Sequence, residues 1–136
     1  MSSSNSSNVT DVDEDSFEET LPDLFPEETN TRPYTFKNKE IIFVSSRVHP
    51  GETCASYVMK GFMDFLLTKD NNQAMILRDK YVFKILPMLN PDGVAEGHYR
   101  TDTRGVNLNR VYENPSKEHH PTIFAAKQLI HYYNKL

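Results

Sequence analysis

The chain has 136 residues, of which 38% are apolar, a content compatible with the core of one small domain. Its single cysteine excludes an intramolecular disulfide, and no segment approaches the roughly 20 apolar residues of a membrane-spanning helix. The first residues lack the basic start and apolar centre of a secretory signal, so we expect a reducing intracellular setting and no membrane partner.

Charge is distributed unequally along the chain. Residues 1–30 contain nine of the nineteen acidic residues and none of the fifteen lysines and arginines. Few large apolar side chains accompany these acids, so we predict that residues 1–30 form an acidic flexible tail or insertion. The remainder of the chain is basic, which favours an acidic partner, while the lack of a dense Lys/Arg run argues against nucleic acid.

The first elements after the acidic segment predict an α/β fold. An apolar run predicts a strand over residues 41–46, apolar on both faces like a central strand of a covered parallel sheet. Apolar residues spaced three and four apart predict a helix over 52–68. A short helical stretch over 74–80 leads to a second strand over 81–86. Strand, helix and strand in this order form a right-handed crossover unit.

Two polar loops follow these strands, and both are predicted at the edge where α/β sheets place their ligand crevice. The first, HPGE, contains His49 and Glu52, which are candidate ligands of a catalytic zinc ion with three protein ligands and one water. Taken alone, H-x-x-E is more typical of a loop histidine beside a helix-terminal carboxylate than of a metal site. The second, NPDG at 90–93, predicts a turn, and a final helix is predicted over 121–134.

A third polar stretch, GHYRTDTRGVNLNR at residues 97–110, contains three arginines in a loop that we interpret as too polar to be core. Arginine is suited to gripping a planar carboxylate through two hydrogen bonds. Alone, this stretch would predict a solvated basic loop. Combined with a metal-binding pair at neighbouring strand ends, it predicts a site that hydrolyses a molecule carrying a carboxylate.

The motifs HPGE, NPDG, GHYRTDTRGVNLNR and HPTIFAAK, in this order, resemble the zinc carboxypeptidases, and specifically the cytosolic carboxypeptidase family. The resemblance implies a partial three-layer αβα fold of the α/β class with a mixed, largely parallel sheet. Residues 31–136 would then be an incomplete portion of the catalytic domain. It also implies one Zn2+ per intact domain and the removal of C-terminal or branched glutamates from proteins such as tubulin. Glutamylated protein tails would be the partners, in the cytoplasm, on microtubules or in the nucleus.

The resemblance also assigns roles to individual residues. His49 and Glu52 match the first two zinc ligands. Arg100 matches the arginine that polarises the scissile carbonyl and stabilises its developing oxyanion. Asn109 and Arg110 match the pair that holds the terminal carboxylate of the substrate. The resemblance therefore implies that these five residues form part of one catalytic site.

Asn107 corresponds to an aspartate that hydrogen-bonds the zinc histidine in digestive relatives. A neutral amide here is expected to orient His49 without raising its basicity as strongly. The resemblance places the third zinc ligand and the general-base glutamate beyond Leu136, so we expect little or no activity from this chain alone. Two alternatives stay open: a truncated product that binds acidic tails without cutting them, and a zinc deacylase of N-acyl amino acids.

Other candidate residues are interpreted as structural. Cys54 is predicted to be a small buried residue, because no base accompanies it in the sequence. His119 and His120 are predicted to form an exposed pair at the start of the last helix. The Phe and Leu side chains of residues 62–66 are predicted to be core.

Overall fold

The computed structural model describes residue 36 and residues 38–134, so the predicted acidic tail over 1–30 lies outside the described residues. The described elements are strands β1 (Glu40–Ser45) and β2 (Tyr81–Leu86), helices α1 (Cys54–Leu67), α2 (Asn72–Lys80), α3 (Pro91–Ala95) and α4 (Pro121–Tyr133), and a 3₁₀ helix over Leu108–Arg110. None of the described helices is long and apolar enough to cross a membrane.

Strands β1 and β2 pair in parallel along their whole length. Glu40 lies opposite Tyr81 at one end of the pair, and Ser45 lies opposite Leu86 at the other. Parallel neighbours require a crossover connection, which α1 and α2 provide here. The predicted α/β fold with a parallel sheet is thereby confirmed.

Helices cover both faces of this strand pair. The ring of Phe83 in β2 meets the ring of Phe62 in α1, with centroids 5.8 Å apart. The next residue along the strand points to the opposite face, as the pleat requires. There the Lys84 amine lies 4.9 Å from the centre of the Tyr133 ring in α4. The sheet therefore lies between α1 and α4, which is the predicted three-layer order.

A cluster of buried apolar residues connects the loops after β2 with helix α4. Its members come from separate segments: Leu89, Leu108, Ile123 and Ala126. Phe43 and Leu86 of the two strands pack against this cluster. Because Leu108 lies in the arginine-rich stretch, the interpretation of that stretch as too polar to be core is wrong at this residue.

Three predictions about local structure are corrected at the helix starts. NPDG does not form a simple turn, because Asn90 caps α3 by accepting the N–H of Gly93 at 3.0 Å, with Pro91 at the first helical position. Helix α1 begins at Cys54, two residues later than predicted. Cys54 is exposed and not buried, because it lies in the first turn of α1, where its side chain faces solvent.

Helix α2 is fastened to the end of α1. The Asn71 side chain caps α2 by accepting the N–H of Ala74 at 3.0 Å. The guanidinium of Arg78 donates to the carbonyls of Leu66 and Thr68. The two bonds from Arg78 satisfy carbonyl groups that the end of helix α1 leaves without partners.

Candidate metal and carboxylate site

The two loops that follow β1 and β2 leave the sheet side by side. Backbone pairing continues beyond the strands, since Ser46 donates to the Leu86 carbonyl at 3.0 Å and Leu89 donates to the Ser46 carbonyl at 2.9 Å. Asn90 then donates to the carbonyl of Arg47 at 3.2 Å. The HPGE and NPDG motifs therefore start from one hydrogen-bonded edge.

His49 is buried between two polar side chains. Its Nδ1 lies 2.9 Å from Oε1 of Glu52, and its Nε2 lies 3.1 Å from Oδ1 of Asn107. The same Oδ1 accepts the backbone N–H of Asn109 at 3.0 Å, which identifies that atom as the amide oxygen. Because the Asn107 oxygen can only accept a hydrogen bond, the His49 imidazole carries its hydrogen on Nε2.

This tautomer has a chemical consequence for the His49 and Glu52 pair. A neutral ring protonated on Nε2 presents a lone pair at Nδ1, and that lone pair faces a carboxylate oxygen 2.9 Å away. Two such atoms repel unless a second proton or a cation lies between them. An imidazole nitrogen and a carboxylate oxygen are both ordinary zinc ligands. The pair therefore fits a zinc ion as two of its ligands.

In the part of the chain that the structure describes, no group of three or more His, Cys, Asp or Glu residues is arranged to hold a metal ion. His119 does not join His49. It is exposed and contacts the Arg104 guanidinium, while His120 is half-buried and accepts the backbone N–H of Ser116 at 3.1 Å. The prediction of an exposed histidine pair at the helix start is thus confirmed for His119 only.

Asn107 connects the histidine to the predicted carboxylate-binding residues. Its side chain caps the 3₁₀ helix that contains Asn109 and Arg110, and the capping oxygen is the one that faces His49. One amide oxygen therefore fixes the imidazole and the start of that helix together. The structure places Asn107 beside His49 as expected, and the catalytic roles of these residues remain predictions.

The predicted substrate-binding side chains are exposed. Arg100, Asn109 and Arg110 all face solvent. Over residues 36 and 38–134, neither arginine forms an ion pair with a carboxylate, and Arg110 donates only to the adjacent Asn109 carbonyl. Within the described residues, no carboxylate occupies either guanidinium group.

Gly51 brings the arginine-rich stretch against the HPGE loop. Its N–H donates to the Tyr99 carbonyl at 2.7 Å, and a Cβ at position 51 would lie 2.6 Å from that oxygen. A residue with a side chain could not approach so closely. The contact fixes the backbone next to Arg100 beside the candidate metal ligands His49 and Glu52.

Gly93 is the point at which the three motifs meet. A Cβ at this buried residue would lie 2.6 to 2.7 Å from the Asn90 Oδ1, the Pro50 Cγ and the Thr101 carbonyl. The sequence predicts only a turn residue at Gly93. Its packing role depends on contacts with distant segments, which no local signal contains.

Asp102 stabilises the loop of the arginine-rich stretch through hydrogen bonds to the loop's own backbone. Its buried carboxylate accepts the backbone N–H groups of Arg104 and Val106 at 2.9 and 2.8 Å. His98 donates from Nδ1 to the Asp102 carbonyl at 2.9 Å. Sequence reasoning missed this residue, although an aspartate three residues before a glycine is a turn signal that could have found it.

The sequence profile of the peptidase M14 family, zinc carboxypeptidase, matches residues 27–129. The chain belongs to the zinc carboxypeptidase family. It is 54% identical over 114 residues to cytosolic carboxypeptidase-like protein 5 of Danio rerio, and equally so to that of Homo sapiens. Cytosolic carboxypeptidase 1 of Gallus gallus is 53% identical over 97 residues, which cover 71% of this chain and 8% of that protein.

Solved structures of the family share the fold of this chain. The metallo-carboxypeptidase from Burkholderia cenocepacia matches with a TM-score of 0.66 and 33% identity, over 74% of this chain and 28% of that one. A metallo-carboxypeptidase from Pseudomonas aeruginosa in complex with (2-guanidinoethylmercapto)succinic acid matches with a TM-score of 0.66 and 30% identity, over 70% and 25%. The resemblance to cytosolic carboxypeptidases is confirmed. The matched part is 84% of this chain and 13% of the Danio rerio relative.

Proposed function

We propose that this chain supplies part of the catalytic centre of a zinc-dependent metallocarboxypeptidase that removes C-terminal or branched glutamates from proteins such as tubulin. The observation that carries the proposal is the placement of His49 between Glu52 and Asn107. The names of the cytosolic relatives support action in the cytoplasm. Association with microtubules or the nucleus belongs to the same proposal.

In this proposal His49 and Glu52 hold the metal. Bound zinc would polarise the scissile carbonyl and lower the pKa of a bound water. Asn107 keeps the imidazole hydrogen on Nε2 and so directs the Nδ1 lone pair toward the metal side. Its second bond, to the N–H of Asn109, keeps the carboxylate-binding residues in register with the metal ligands.

Arg110 and Asn109 are assigned to the terminal carboxylate of the substrate, and Arg100 to the oxyanion that develops at the scissile carbonyl. Their exposure and their lack of carboxylate partners in the described segment support both assignments. The succinic acid derivative in the Pseudomonas aeruginosa structure carries two carboxyl groups, which supports carboxylate recognition in this family. The basic balance of residues 31–136 supports acidic substrates.

The first experiment is zinc calorimetry on the 136-residue chain. We expect weak binding, because two ligands hold zinc less well than the usual three or four. The change His49→Ala should abolish this binding. His131→Ala, which removes an exposed histidine of α4, is the matched control and should leave it unchanged. Equal binding by the parent chain and His49→Ala would overturn the metal assignment.

The second experiment tests the substrate in a chimaera, with this segment replacing the matching residues of the Danio rerio relative. Arg110→Ala should lower kcat/KM for glutamate-tailed tubulin peptides roughly 100-fold, because hydrogen bonds to charged groups are lost. A peptide with an amidated C-terminus should show no such dependence. Arg78→Ala, far along the chain from the motif, is the control. Faster turnover of N-acyl amino acids than of peptides would instead favour the deacylase.

A second candidate function is binding of acidic protein tails without cleavage. The exposure of Arg100, Arg104 and Arg110 favours it. Sedimentation of the chain with glutamylated and unmodified microtubules at two salt concentrations tests this candidate. Binding that prefers the glutamylated form and weakens with salt would support it, and equal binding to both forms would contradict it.

A further inference from the structure

We propose that Arg47 is a positioning residue that presets His49 and Glu52 for the metal ion. The inference rests on the proposed function, because it concerns the same metal site. Arg47 does not contact either side chain directly. It acts through the backbone of the loop that contains both of them.

The backbone of Arg47 adopts a conformation that residues with a Cβ avoid. Its φ is 55°, and among residues 36 and 38–134 it is the one non-glycine residue with a positive φ. Such a conformation persists where the surrounding structure enforces it. It occurs two residues after β1 ends and two residues before His49. The chain therefore changes direction at Arg47 and brings the imidazole to the strand edge.

The buried guanidinium of Arg47 joins two segments that flank Glu52. Its Nε donates to the Pro50 carbonyl at 2.9 Å, and its Nη1 donates to the Ser56 hydroxyl at 2.5 Å. Pro50 lies between the two metal ligands, and Ser56 lies in the first turn of α1. A planar fork can bind both partners in fixed directions, whereas the single amine of lysine cannot.

Glu52 depends on the two hydrogen bonds of the Arg47 guanidinium more than His49 does. The imidazole is 8% exposed and held by Asn107, whereas the Glu52 side chain is 53% exposed and its partner among the described residues is His49 itself. The direction of Glu52 is therefore set by its backbone, whose N–H donates to the His49 carbonyl at 3.2 Å. Arg47 bonds to this loop on both sides of Glu52, at Pro50 and at Ser56. Ligands held in place before the metal arrives bind it more tightly.

The test compares zinc affinities of variants, made in the chimaera with the Danio rerio relative, by competition with a chromophoric chelator. Arg47→Met should lower zinc affinity about 10-fold or more, as losses of groups that orient ligands do. Arg47→Gly should lower it as well, although glycine relieves the backbone strain, because the guanidinium is still lost. Arg47→Lys should recover part of the affinity. Visible absorption of the Co2+-loaded chain provides a second readout of ligand geometry.

Arg78→Met is the matched control, because Arg78 also bridges two polar groups of α1 but at its opposite end. It should leave zinc affinity unchanged even where it lowers the unfolding midpoint. Ser56→Ala removes one partner of the Arg47 guanidinium with little change in volume, and it should lower affinity less than Arg47→Met does. This variant keeps the inference testable if Arg47→Met does not fold.

Comparison with His49→Ala separates a failure of this inference from a failure of the metal assignment. Parent affinity in Arg47→Met and Ser56→Ala, or an equal loss in Arg78→Met, would overturn the positioning role while leaving the proposed function intact. Parent affinity in His49→Ala would instead overturn the metal assignment on which the inference rests.

Discussion

Two regions of the molecule differ in how far their side chains are buried from solvent. The strand-end cluster, which we define as His49, Asn90, Gly93, Asp102 and Leu108, is buried, with exposures of 2% for Asn90 and 7% for Asp102. The open helix pair, α1 and α2, exposes large apolar side chains. Tyr57, Val58 and Leu67 are 71% to 77% exposed.

The difference indicates that hydrogen bonds among the described residues hold the candidate site. No buried side-chain nitrogen or oxygen lacks a hydrogen-bond partner over residues 36 and 38–134. The partners in the strand-end cluster are distant in sequence, such as His49 with Asn107 and Asn90 with Val48. The open helix pair is instead joined by bonds from Arg78 to Leu66 and Thr68, which lie 12 and 10 residues away in the chain. Changes in the two regions should therefore have separable effects on metal binding and on stability.

The largest effect is expected from Gly93→Ala in the strand-end cluster. A Cβ here would overlap the Pro50 ring and the Thr101 carbonyl at 2.7 Å, and neither neighbour can move without shifting a motif. We expect the free energy of unfolding to fall by about 1 to 3 kcal/mol, in the range of overpacked sites. Urea unfolding of the variant and parent measures this loss.

Gly61→Ala provides the matched control in the open helix pair. Nothing lies within 4 Å of a Cβ at Gly61, which is exposed in the interior of α1. Alanine should raise the free energy of unfolding by up to about 1 kcal/mol, because it is the better helix former. Equal and same-signed shifts in the two variants would remove the contrast between the regions.

The second effect concerns metal affinity. Asn107→Ala removes the acceptor for His49 Nε2 and for the Asn109 N–H, so zinc affinity should fall about 10- to 100-fold. Asn107→Asp keeps an acceptor in place and adds charge, so it should bind zinc at least as tightly as the parent. Competition with a chelator, in the chimaera with the Danio rerio relative, measures both variants. An unchanged affinity in Asn107→Ala would show that the imidazole is oriented by other contacts.

The helices and strands were largely predictable because their signals are local. Strand β2 has the predicted bounds, since its apolar run is ended by a proline. The NPDG segment was not predictable in the same way, because Asn, Pro, Asp and Gly start turns and short helices equally well. The packing of Gly93 against Pro50 and Thr101 places α3 against the other loops, and those residues are remote in the chain.

The candidate site was predictable in its motifs and not in its supports. Resemblance to a family predicted that Asn107 lies beside His49, and the structure places them 3.1 Å apart. Arg47 and Asp102 were missed. Both act on backbone groups, and their contacts depend on φ angles and loop paths that residue types alone do not specify.

The third effect is confined to the open helix pair. Asn71→Ala removes the side-chain cap of α2 and should lower the free energy of unfolding by about 1 kcal/mol. Asn71→Asp keeps a capping oxygen and should retain most of that stability. Neither variant should alter zinc affinity, because the cap lies outside the strand-end cluster. A loss of zinc affinity in Asn71→Ala would show that the two regions are coupled.

The smallest effect concerns pH. Tyr112 packs against the apolar cluster of Leu89, Leu108 and Ile123, and burial raises the pKa of its phenol above the usual 10.0. The folded chain therefore keeps this proton where the unfolded chain has lost it. The resulting stability is complete below about pH 10 and is lost as pH rises through the folded-state pKa.

Urea unfolding at several pH values between about 9 and 11 tests this sign, because that interval spans the titration of an ordinary tyrosine. Tyr112→Phe should flatten the fall in stability, since the variant has no phenol to titrate at this position. Tyr57→Phe, in the open helix pair, is the matched control, because the Tyr57 ring is 77% exposed. A steeper fall in Tyr112→Phe than in Tyr57→Phe would contradict the assignment. A shallower fall in stability in Tyr112→Phe than in Tyr57→Phe would show that the core beside the strand-end cluster shields Tyr112 from water, while Tyr57 in the open helix pair stays hydrated.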